Sequence, residues 1–469
     1  MALRTLILIV LIALPALPQS KQANSDANLA AIRSQDRLAR NDKGAITRLA
    51  PEEHLRRASI YHGNRAFDEA REHWQAFMNY YPNDPRVAEA LLGTGRSYFQ
   101  GRRYSESYNA YDRLARTYPT TKEGREGLNF SASALLRMGK ASDAADRFIE
   151  YINKYPTGER IETAHLNAID TLREAGRLQD AIAWIARTRQ RFAGTATDTN
   201  ALFGQLRLEI AESNWRGAIN TADELSKKAF SRAVATSPSE VAYLRGYALE
   251  RAGNEEAAFN AYLSVPGGIG SYYGWLASDR LSNMADSKRS SLVNERTSRN
   301  MTQAEAVADE YPAPYRSAVL TSARARKLDP RFILALIKQE SVFKPTAKSP
   351  AGARGLLQLT IDAAQKYAAH AGMKSVQENQ LYQPDTSIRL GSEYLAELSA
   401  MFPGLSEAVA ASYNGGEDNV ARWVRRAKQK DPGVFTSEVG FDETKAYVQK
   451  VMNNFRVYKQ LYTVDLIRK

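Results

Sequence analysis

The chain of 469 residues contains no cysteine, which excludes disulfide bonds, thiolate nucleophiles, cysteine-ligated zinc and iron–sulfur clusters. Histidine is scarce as well. Its five copies show no paired ligand spacing, so we predict no metal and no cofactor. No apolar run reaches the ~18 residues of a membrane-spanning helix, so none is predicted. The net charge of +12 permits a nucleic acid, a membrane surface or an anionic polymer as partner and selects none of them.

The first twenty residues differ from the rest of the chain. Arg4 precedes an unbroken apolar run from Leu6 to Leu14, which is too short to span a bilayer but suits the core of a signal peptide. We therefore predict a signal peptide over residues 1–20, export of the mature protein, and a linker over residues 21–45. An uncleaved membrane anchor is the alternative interpretation of the same run.

A period of 37 residues organises the middle of the chain. Three independent sets of residues keep this step. The tyrosine of a Tyr-Pro pair recurs at Tyr81, Tyr118 and Tyr155. A mostly apolar position recurs at Phe67, Tyr104, Ala141, Leu178 and Trp215. A small residue three positions later recurs at Ala70, Ser107, Ala144, Ala181 and Ala218. The agreement predicts repeated helix–turn–helix units.

A single helical hairpin cannot bury its apolar face alone, so such units stack into a superhelix. The spacing resembles that of tetratricopeptide repeats, and we predict repeats together with a connector over residues 46–300. The aromatic positions of the repeat are interpreted mainly as core, with a ligand groove as the alternative.

The pattern of residues along the sequence changes near residue 328. Asp329 and Pro330 form an N-cap followed by proline at the first helical position. Glu340 then follows Leu336 and Ile337 at a spacing that puts it on their apolar face. Burial raises the pKa of a carboxyl and can keep it protonated near neutrality, as a general acid requires. By itself the pattern is equally compatible with a solvated glutamate at the end of the helix.

Three motifs follow this helix. They are Ser-Pro-Ala-Gly-Ala-Arg-Gly-Leu-Leu-Gln from Ser349 to Gln358, Tyr-Asn at Tyr413, and Glu-Thr-Lys-Ala-Tyr-Val from Glu443. Together with Glu340 they resemble the soluble lytic murein transglycosylases, whose catalytic domain has a goose-lysozyme-like fold. The resemblance implies an all-α to mainly α protein, with a helical-repeat superhelix followed by a catalytic domain over residues 313–469. We also expect Gln358 at the start of the next helix.

By resemblance, the reaction cleaves the β-1,4 bond between N-acetylmuramic acid and N-acetylglucosamine and leaves a 1,6-anhydro end. Glu340 would act as acid and then as base. The other matched residues would border the site, the first four binding the acetamido groups and the last two supporting Glu340: Ser349, Gln358, Tyr413, Asn414, Glu443 and Tyr447. Their structural alternatives are loop and helix capping, a turn, a helix-terminal charge and core packing.

Two other functions remain open at this point: a hydrolytic muramidase on the same fold, and a repeat scaffold that only binds glycan. The resemblance implies an exo-acting lyase in the periplasm with peptidoglycan strands as substrate, although the sequence leaves exo and endo cleavage open. Protein partners on the repeats are conceivable. Residues 313–469 hold 23 Lys and Arg against 15 Asp and Glu, which favours an acidic polymer over nucleic acid.

Overall fold

The computed structural model describes residues 26–469, and the predicted signal peptide over residues 1–20 lies outside them. Twenty-three α-helices make up this part of the chain, and within it extended residues form only isolated bridges. The predicted all-α class is confirmed. Among these helices, none is long and apolar enough to cross a membrane.

The helices before residue 192 are α1 (Asp26–Leu38), α2 (Pro51–Gly63), α3 (Phe67–Tyr80), α4 (Val87–Gln100), α5 (Tyr104–Thr117), α6 (Lys122–Arg137), α7 (Ala141–Lys154), α8 (Ile161–Glu174) and α9 (Leu178–Arg191). Those between residues 192 and 307 are α10 (Ala196–Ala211), α11 (Trp215–Leu225), α12 (Pro238–Arg251), α13 (Glu255–Ser264), α14 (Tyr272–Asn283) and α15 (Ser290–Ala306). The last group comprises α16 (Arg316–Arg326), α17 (Pro330–Ser341), α18 (Ile361–Ala368), α19 (Pro384–Met401), α20 (Ser406–Gly415), α21 (Glu417–Ala427), α22 (Pro432–Ser437) and α23 (Asp442–Leu461).

The 37-residue period predicted from sequence is visible in the helix boundaries. Each member of the mostly apolar set, from Phe67 to Trp215, is the first residue of a helix: α3, α5, α7, α9 and α11. Three residues later, every small residue of the set is fully buried. A larger side chain there would enter the neighbouring helix, because packed interiors leave no room for added methylenes. The predicted stacking of helical hairpins therefore rests on these positions.

The segment expected to be a linker, residues 21–45, contains helix α1. Its residues Leu29, Ile32 and Asp36 recur at i, i+3 and i+7, and all three are buried. This spacing gives the helix one inward face. A segment with such a face gains free energy by packing, which a solvated linker does not.

The chain forms two compact units that meet in sequence near residue 191. The helices before this residue form one unit, and residues 192–349 with 353–469 form the other. Helices α10 to α15, which belong to the predicted repeats and connector, therefore share a compact unit with the last eight helices. One continuous apolar core accounts for this, since it runs from Leu202 through Tyr273 and Ile337 to Leu461.

A buried polar chain anchors α1 in the first unit. Asp36 lies 2.9 Å from Nε2 of His73, and Nδ1 of His73 lies 3.2 Å from Nδ1 of His54. The backbone N–H of Leu49 donates to Nε2 of His54. Because this nitrogen accepts, the proton of a neutral His54 sits on Nδ1 and is donated to His73, which in turn donates to Asp36. A proton added to His54 would turn its Nε2 into a second donor facing the N–H of Leu49.

We predict that the unit before residue 192 loses stability as pH falls from about 6.5 to about 4. Burial lowers the pKa of His54 and of His165 from 6.5 to about 4, with nearby positive charge contributing. The folded state therefore excludes protons that the unfolded chain accepts, which costs ~2–3 kcal/mol per group at pH 4. Hydrogen exchange of α2 to α9 in the full chain measures the effect.

The control for this prediction is His54→Gln, whose amide oxygen can accept from Leu49 but cannot be protonated in this pH range. It is expected to flatten the dependence on pH without abolishing it, because His165 still titrates. Equal protection of α2 to α9 at pH 7 and pH 4.5 in the unmodified chain would contradict the prediction.

Candidate active site

Helix α17 delivers Glu340 into the interior of the second unit. The Asp329 side chain caps its N-terminus by accepting from the backbone N–H of Arg331 at 2.9 Å, and Pro330 occupies the first turn. Ile333 and Ile337 on this helix are fully buried. Glu340 in the last turn shares the buried environment, with only 5% of its surface exposed. A solvated glutamate at the helix end is thereby ruled out.

The carboxyl of Glu340 has one hydrogen-bond donor, the phenol of Tyr447 on α23, at 2.5 Å. Burial raises the pKa of Glu340 from 4.5 to about 7, and the bond from Tyr447 opposes this rise. No positive charge contributes to the shift. At neutral pH the carboxyl is therefore protonated in about half of the molecules, as a group that first gives and then takes a proton requires.

The chain turns sharply just after Glu340. Val342 and Phe343 both adopt left-handed backbone angles, with φ of 48° and 61°. Such a conformation costs roughly 1–2 kcal/mol in a residue with a β-carbon, and more in a β-branched residue such as Val342. The surrounding packing must hold this turn, and it redirects the chain from α17 into the loop before α18.

The loop between α17 and α18 contains Ser349 and Gln358, and both side chains are buried within it. The Ser349 hydroxyl accepts from the backbone N–H of Ala353 at 3.1 Å. The Gln358 amide donates to the carbonyls of Ala347 and Gly355, at 3.0 and 2.8 Å. These contacts hold the loop. The expectation that Gln358 opens the next helix is wrong, because it sits in a turn with φ of 46° and α18 begins at residue 361.

Gly355 makes the path of this loop possible. Its φ is +79°, and a β-carbon built on it would lie 1.9 Å from the carbonyl oxygen of Leu381. Any other residue would clash with that backbone. Helix α19 also lies close to the loop, since a β-carbon on Gly391 would lie 2.4 Å from Cδ1 of Leu357. Leu357 is thus wedged into position beside the site.

Helix α20 ends with Tyr413 and Asn414. The Tyr413 hydroxyl donates to the backbone carbonyl of Leu357 at 2.6 Å, which ties α20 to the loop. The charge of Glu340 contributes to raising the pKa of Tyr413, after burial, so the two groups are near each other. The Asn414 amide oxygen accepts from the hydroxyl of Thr444 at 2.6 Å, which ties α20 to α23.

Of the seven residues predicted for the site, the structure joins Glu340 directly to Tyr447 alone. Tyr413 and Asn414 meet the site through Leu357 and Thr444, while Ser349 and Gln358 shape the adjoining loop. Glu443 is exposed at the start of α23, one helical turn before Tyr447. Partial loss of water around it raises the pKa of Glu443. It is Tyr447, however, that makes the contact to Glu340.

Sequence analysis missed two residues on α23. Thr444 holds Asn414, and Lys445 is 93% buried although lysine is rarely buried unpaired. A signal for Lys445 was present: it precedes Val448 and Met452 by three and seven residues, and both are buried. Metal chemistry has no site in the described range, where no group of three or more potential ligands gathers.

Comparison with protein families matches both parts of the chain. Residues 317–435 match the description Transglycosylase SLT domain, while residues 55–120 and 131–195 match tetratricopeptide repeat. The chain carries a transglycosylase SLT domain. Glu340, Tyr413 and Asn414 lie inside the matched SLT segment, whereas Tyr447, which contacts Glu340, lies beyond its end.

Curated relatives are similar to part of the chain as well. The chain is 37% identical over 122 residues to a Haemophilus influenzae protein provisionally named a soluble lytic murein transglycosylase, covering 26% of this chain and 21% of that protein. It is 29% identical over 148 residues to the soluble lytic murein transglycosylase of Escherichia coli K12, covering 31% and 23%. The chain therefore spans about a fifth of the length of the curated relatives it matches.

Among solved structures, the lytic transglycosylase Slt of Pseudomonas aeruginosa, solved as an inactive mutant, resembles this fold. The alignment has a TM-score of 0.51 at 19% identity and covers 92% of this chain and 85% of that one. At this identity the likeness speaks for the fold alone. The predicted fold class, tetratricopeptide-like repeats followed by a lysozyme-like SLT domain, is confirmed.

We predict that Tyr447→Phe raises the pKa of the Glu340 carboxyl above its value of about 7. The phenol donates to the carboxylate and so favours the charged form, and its loss should shift the pKa upward by about 1 unit. Carbon-13 NMR of carboxyl-labelled glutamate measures the shift without any substrate, with Glu340→Gln identifying the resonance. A pKa that stays the same or falls would contradict the assigned contact.

Proposed function

We propose that this chain is a peptidoglycan lytic transglycosylase, with glycan strands of the cell wall as its substrate. It would cleave the β-1,4 bond between N-acetylmuramic acid and N-acetylglucosamine and form 1,6-anhydromuramic acid ends. The observation that carries the proposal is the environment of Glu340: a buried carboxyl that accepts a hydrogen bond from a neutral donor, the phenol of Tyr447. Burial raises the pKa of this carboxyl to about 7. The matched SLT segment and its relatives support the same substrate.

The proposed chemistry needs one carboxyl for two proton transfers. Glu340 protonates the bridging oxygen as the bond from that oxygen to the anomeric carbon of muramic acid breaks. The 6-hydroxyl of the same sugar then attacks this carbon, and its proton returns to Glu340. Tyr447 donates to the carboxylate that exists between the two steps, which limits the cost of a buried charge.

We favour a lyase over a hydrolase because, among the described residues, no carboxylate contributes to the shift in the pKa of Glu340. Most glycoside hydrolases place two carboxyl groups ~5–9.5 Å apart. At such a distance, an ionised partner would raise the pKa of Glu340 by repulsion. The causes of its shift are instead burial and the Tyr447 bond. An intramolecular nucleophile makes a second carboxyl unnecessary, since it is already bound next to the reacting carbon.

The remaining predicted residues take positioning roles in this proposal. Tyr413 and Asn414 at the end of α20 would face the acetamido groups, as would Ser349 and Gln358 of the loop. Glu443 would border the cleft from the exposed start of α23. Because Ser349 and Gln358 already bond their own loop, their substitution should disturb the loop as well as sugar binding.

We also propose a periplasmic location, which the signal peptide predicted over residues 1–20 and the soluble relatives support. The repeats before residue 192 offer a surface on which protein partners could dock. Exo-acting cleavage is part of the proposal, and residues 313–469 are its catalytic segment.

We predict that Glu340→Gln lowers turnover of purified peptidoglycan by about 10²–10⁴-fold, the usual contribution of general acid–base catalysis. Glu407→Gln is the matched control, because Glu407 is also 5% exposed and also accepts from a tyrosine, Tyr272, at 3.4 Å. It should leave turnover within a few-fold of the unmodified chain. Unchanged turnover of Glu340→Gln would reject Glu340 as the acid, whereas no turnover by the unmodified chain would favour a glycan-binding scaffold.

Mass analysis of the products separates the two enzymatic possibilities. A lyase yields anhydro ends that are lighter by one water than the ends a hydrolase makes. We expect anhydro ends from the unmodified chain, and reducing ends alone would establish a hydrolytic muramidase instead.

We further predict that activity declines as pH rises through about 7, the pKa of Glu340. The protonated form starts the reaction, so activity is present below this pKa and is lost above it. Tyr447→Phe should move the decline to higher pH while lowering the maximal rate. Rates of product release from peptidoglycan between pH 5 and pH 9 test this, and a decline unmoved by Tyr447→Phe would contradict it.

A further inference from the structure

Helix α23 is held on two sides. On one side, Tyr447 donates to Glu340 and Thr444 donates to Asn414. On the other side lies Lys445, which precedes Tyr447 by two residues and therefore points about 200° away from it around the helix. Lys445 takes no part in the proposed chemistry, yet it is 93% buried.

The ammonium group of Lys445 is engaged by the repeat segment of the same unit. It lies 2.7 Å from Oε1 of Glu240 on α12, donates to the backbone carbonyl of Ala235 at 2.8 Å, and sits 4.9 Å from the ring of Phe203. Glu240 is itself buried and also accepts from Tyr273 at 2.8 Å and Thr236 at 3.0 Å. This pair joins α12 to the first turn of α23.

Stability alone does not account for a buried ion pair at this place. Taking both charges out of water costs several kcal/mol, and a well-packed apolar pair of similar volume is often as stable or more so. A lysine in the first turn of a helix also faces the positive end of the helix dipole. The pair instead orients α23, because its hydrogen bonds fix the rotation and the axial position of this helix.

We propose that Lys445 is a positioning residue for the active site, whose ion pair with Glu240 holds the start of α23 where Tyr447 reaches Glu340. Through this contact the last repeat helices set the geometry of the acid. A small rotation of α23 would lengthen the hydrogen bond from Tyr447 to Glu340. Burial alone would then set the pKa of the Glu340 carboxyl. The inference rests on the proposed role of Glu340 and names a further residue for it.

The test compares Lys445→Met and Glu240→Gln with Tyr447→Phe, using the carbon-13 titration of Glu340 and the pH dependence of peptidoglycan cleavage. Lys445→Met should raise the pKa of Glu340 by at least half of the shift that Tyr447→Phe produces, and move the alkaline decline of activity equally. Glu240→Gln should shift both in the same direction by less. The groups acting on Glu340 are Tyr447 and Tyr413, and those on Lys445 are Glu240, Arg207 and Asp442.

Arg280→Met is the matched control. Arg280 on α14 pairs with Asp431 at 2.6 Å and with Glu250 at 3.1 Å, and neither of these acids lies on α23. Its loss removes the same charge and should lower thermal stability without moving the pKa of Glu340. If Lys445→Met and Glu240→Gln likewise lower stability but leave the titration and the pH profile unchanged, the inference is overturned.

Glu240→Gln keeps the shape of the side chain and an oxygen that can accept, so it carries the test where Lys445→Met fails to fold. The titration needs no substrate, which separates the two proposals. Undiminished activity in Glu340→Gln would overturn the proposed role of Glu340 as acid and base, whatever Lys445 does. Loss of activity there, with an unmoved titration in the Lys445 and Glu240 variants, would overturn only the positioning role.

Discussion

A carboxyl buried without a cation is the constraint on which the site depends. Water stabilises a carboxylate far better than an apolar interior does, so the pKa of Glu340 rises to about 7. An arginine or lysine at the same place would pull the pKa back below its usual value and leave an ionised group unable to donate. The effect of the Tyr447 phenol on the pKa of Glu340 lies between that of a cation and that of no partner at all. The phenol bonds the carboxylate without cancelling the effect of burial.

Helix α23 transmits this constraint to the rest of the unit. Within about one turn it bonds Asn414 of α20, Glu240 of α12 and Glu340 of α17, through Thr444, Lys445 and Tyr447. The unusual backbone after Glu340 belongs to the same arrangement. A chain that must leave α17 at once, to place the loop over the site, accepts left-handed angles at Val342 and Phe343. The strain is held by the packed helices around it.

Sequence patterns predicted local features well and distant pairings poorly. The 37-residue period located the first residue of five helices, because small and apolar positions recur wherever one hairpin packs on the next. The apolar stripe of α17 left open whether Glu340 is buried or solvated, and the structure buries it. The bond from Tyr447 joins residues 107 positions apart, and no periodicity encodes such a pairing. Gln358 was misplaced because the chain forms a turn there, which the side chain of Gln358 holds by donating to the carbonyl of Gly355.

Net charge is a similarly limited predictor, because it does not show which charges pair with each other in the fold. The basic excess of the last segment favoured an anionic polymer as substrate, yet part of it is consumed inside the unit. Lys428, Lys445 and Arg456 pair with acids of the preceding repeat helices: Glu212, Glu240 and Asp279. These cations are committed to holding helices together and are not available to a polymer. Net charge therefore overstates the attraction that a substrate would feel, and the cations left facing solvent are the ones that could steer an anionic strand toward Glu340.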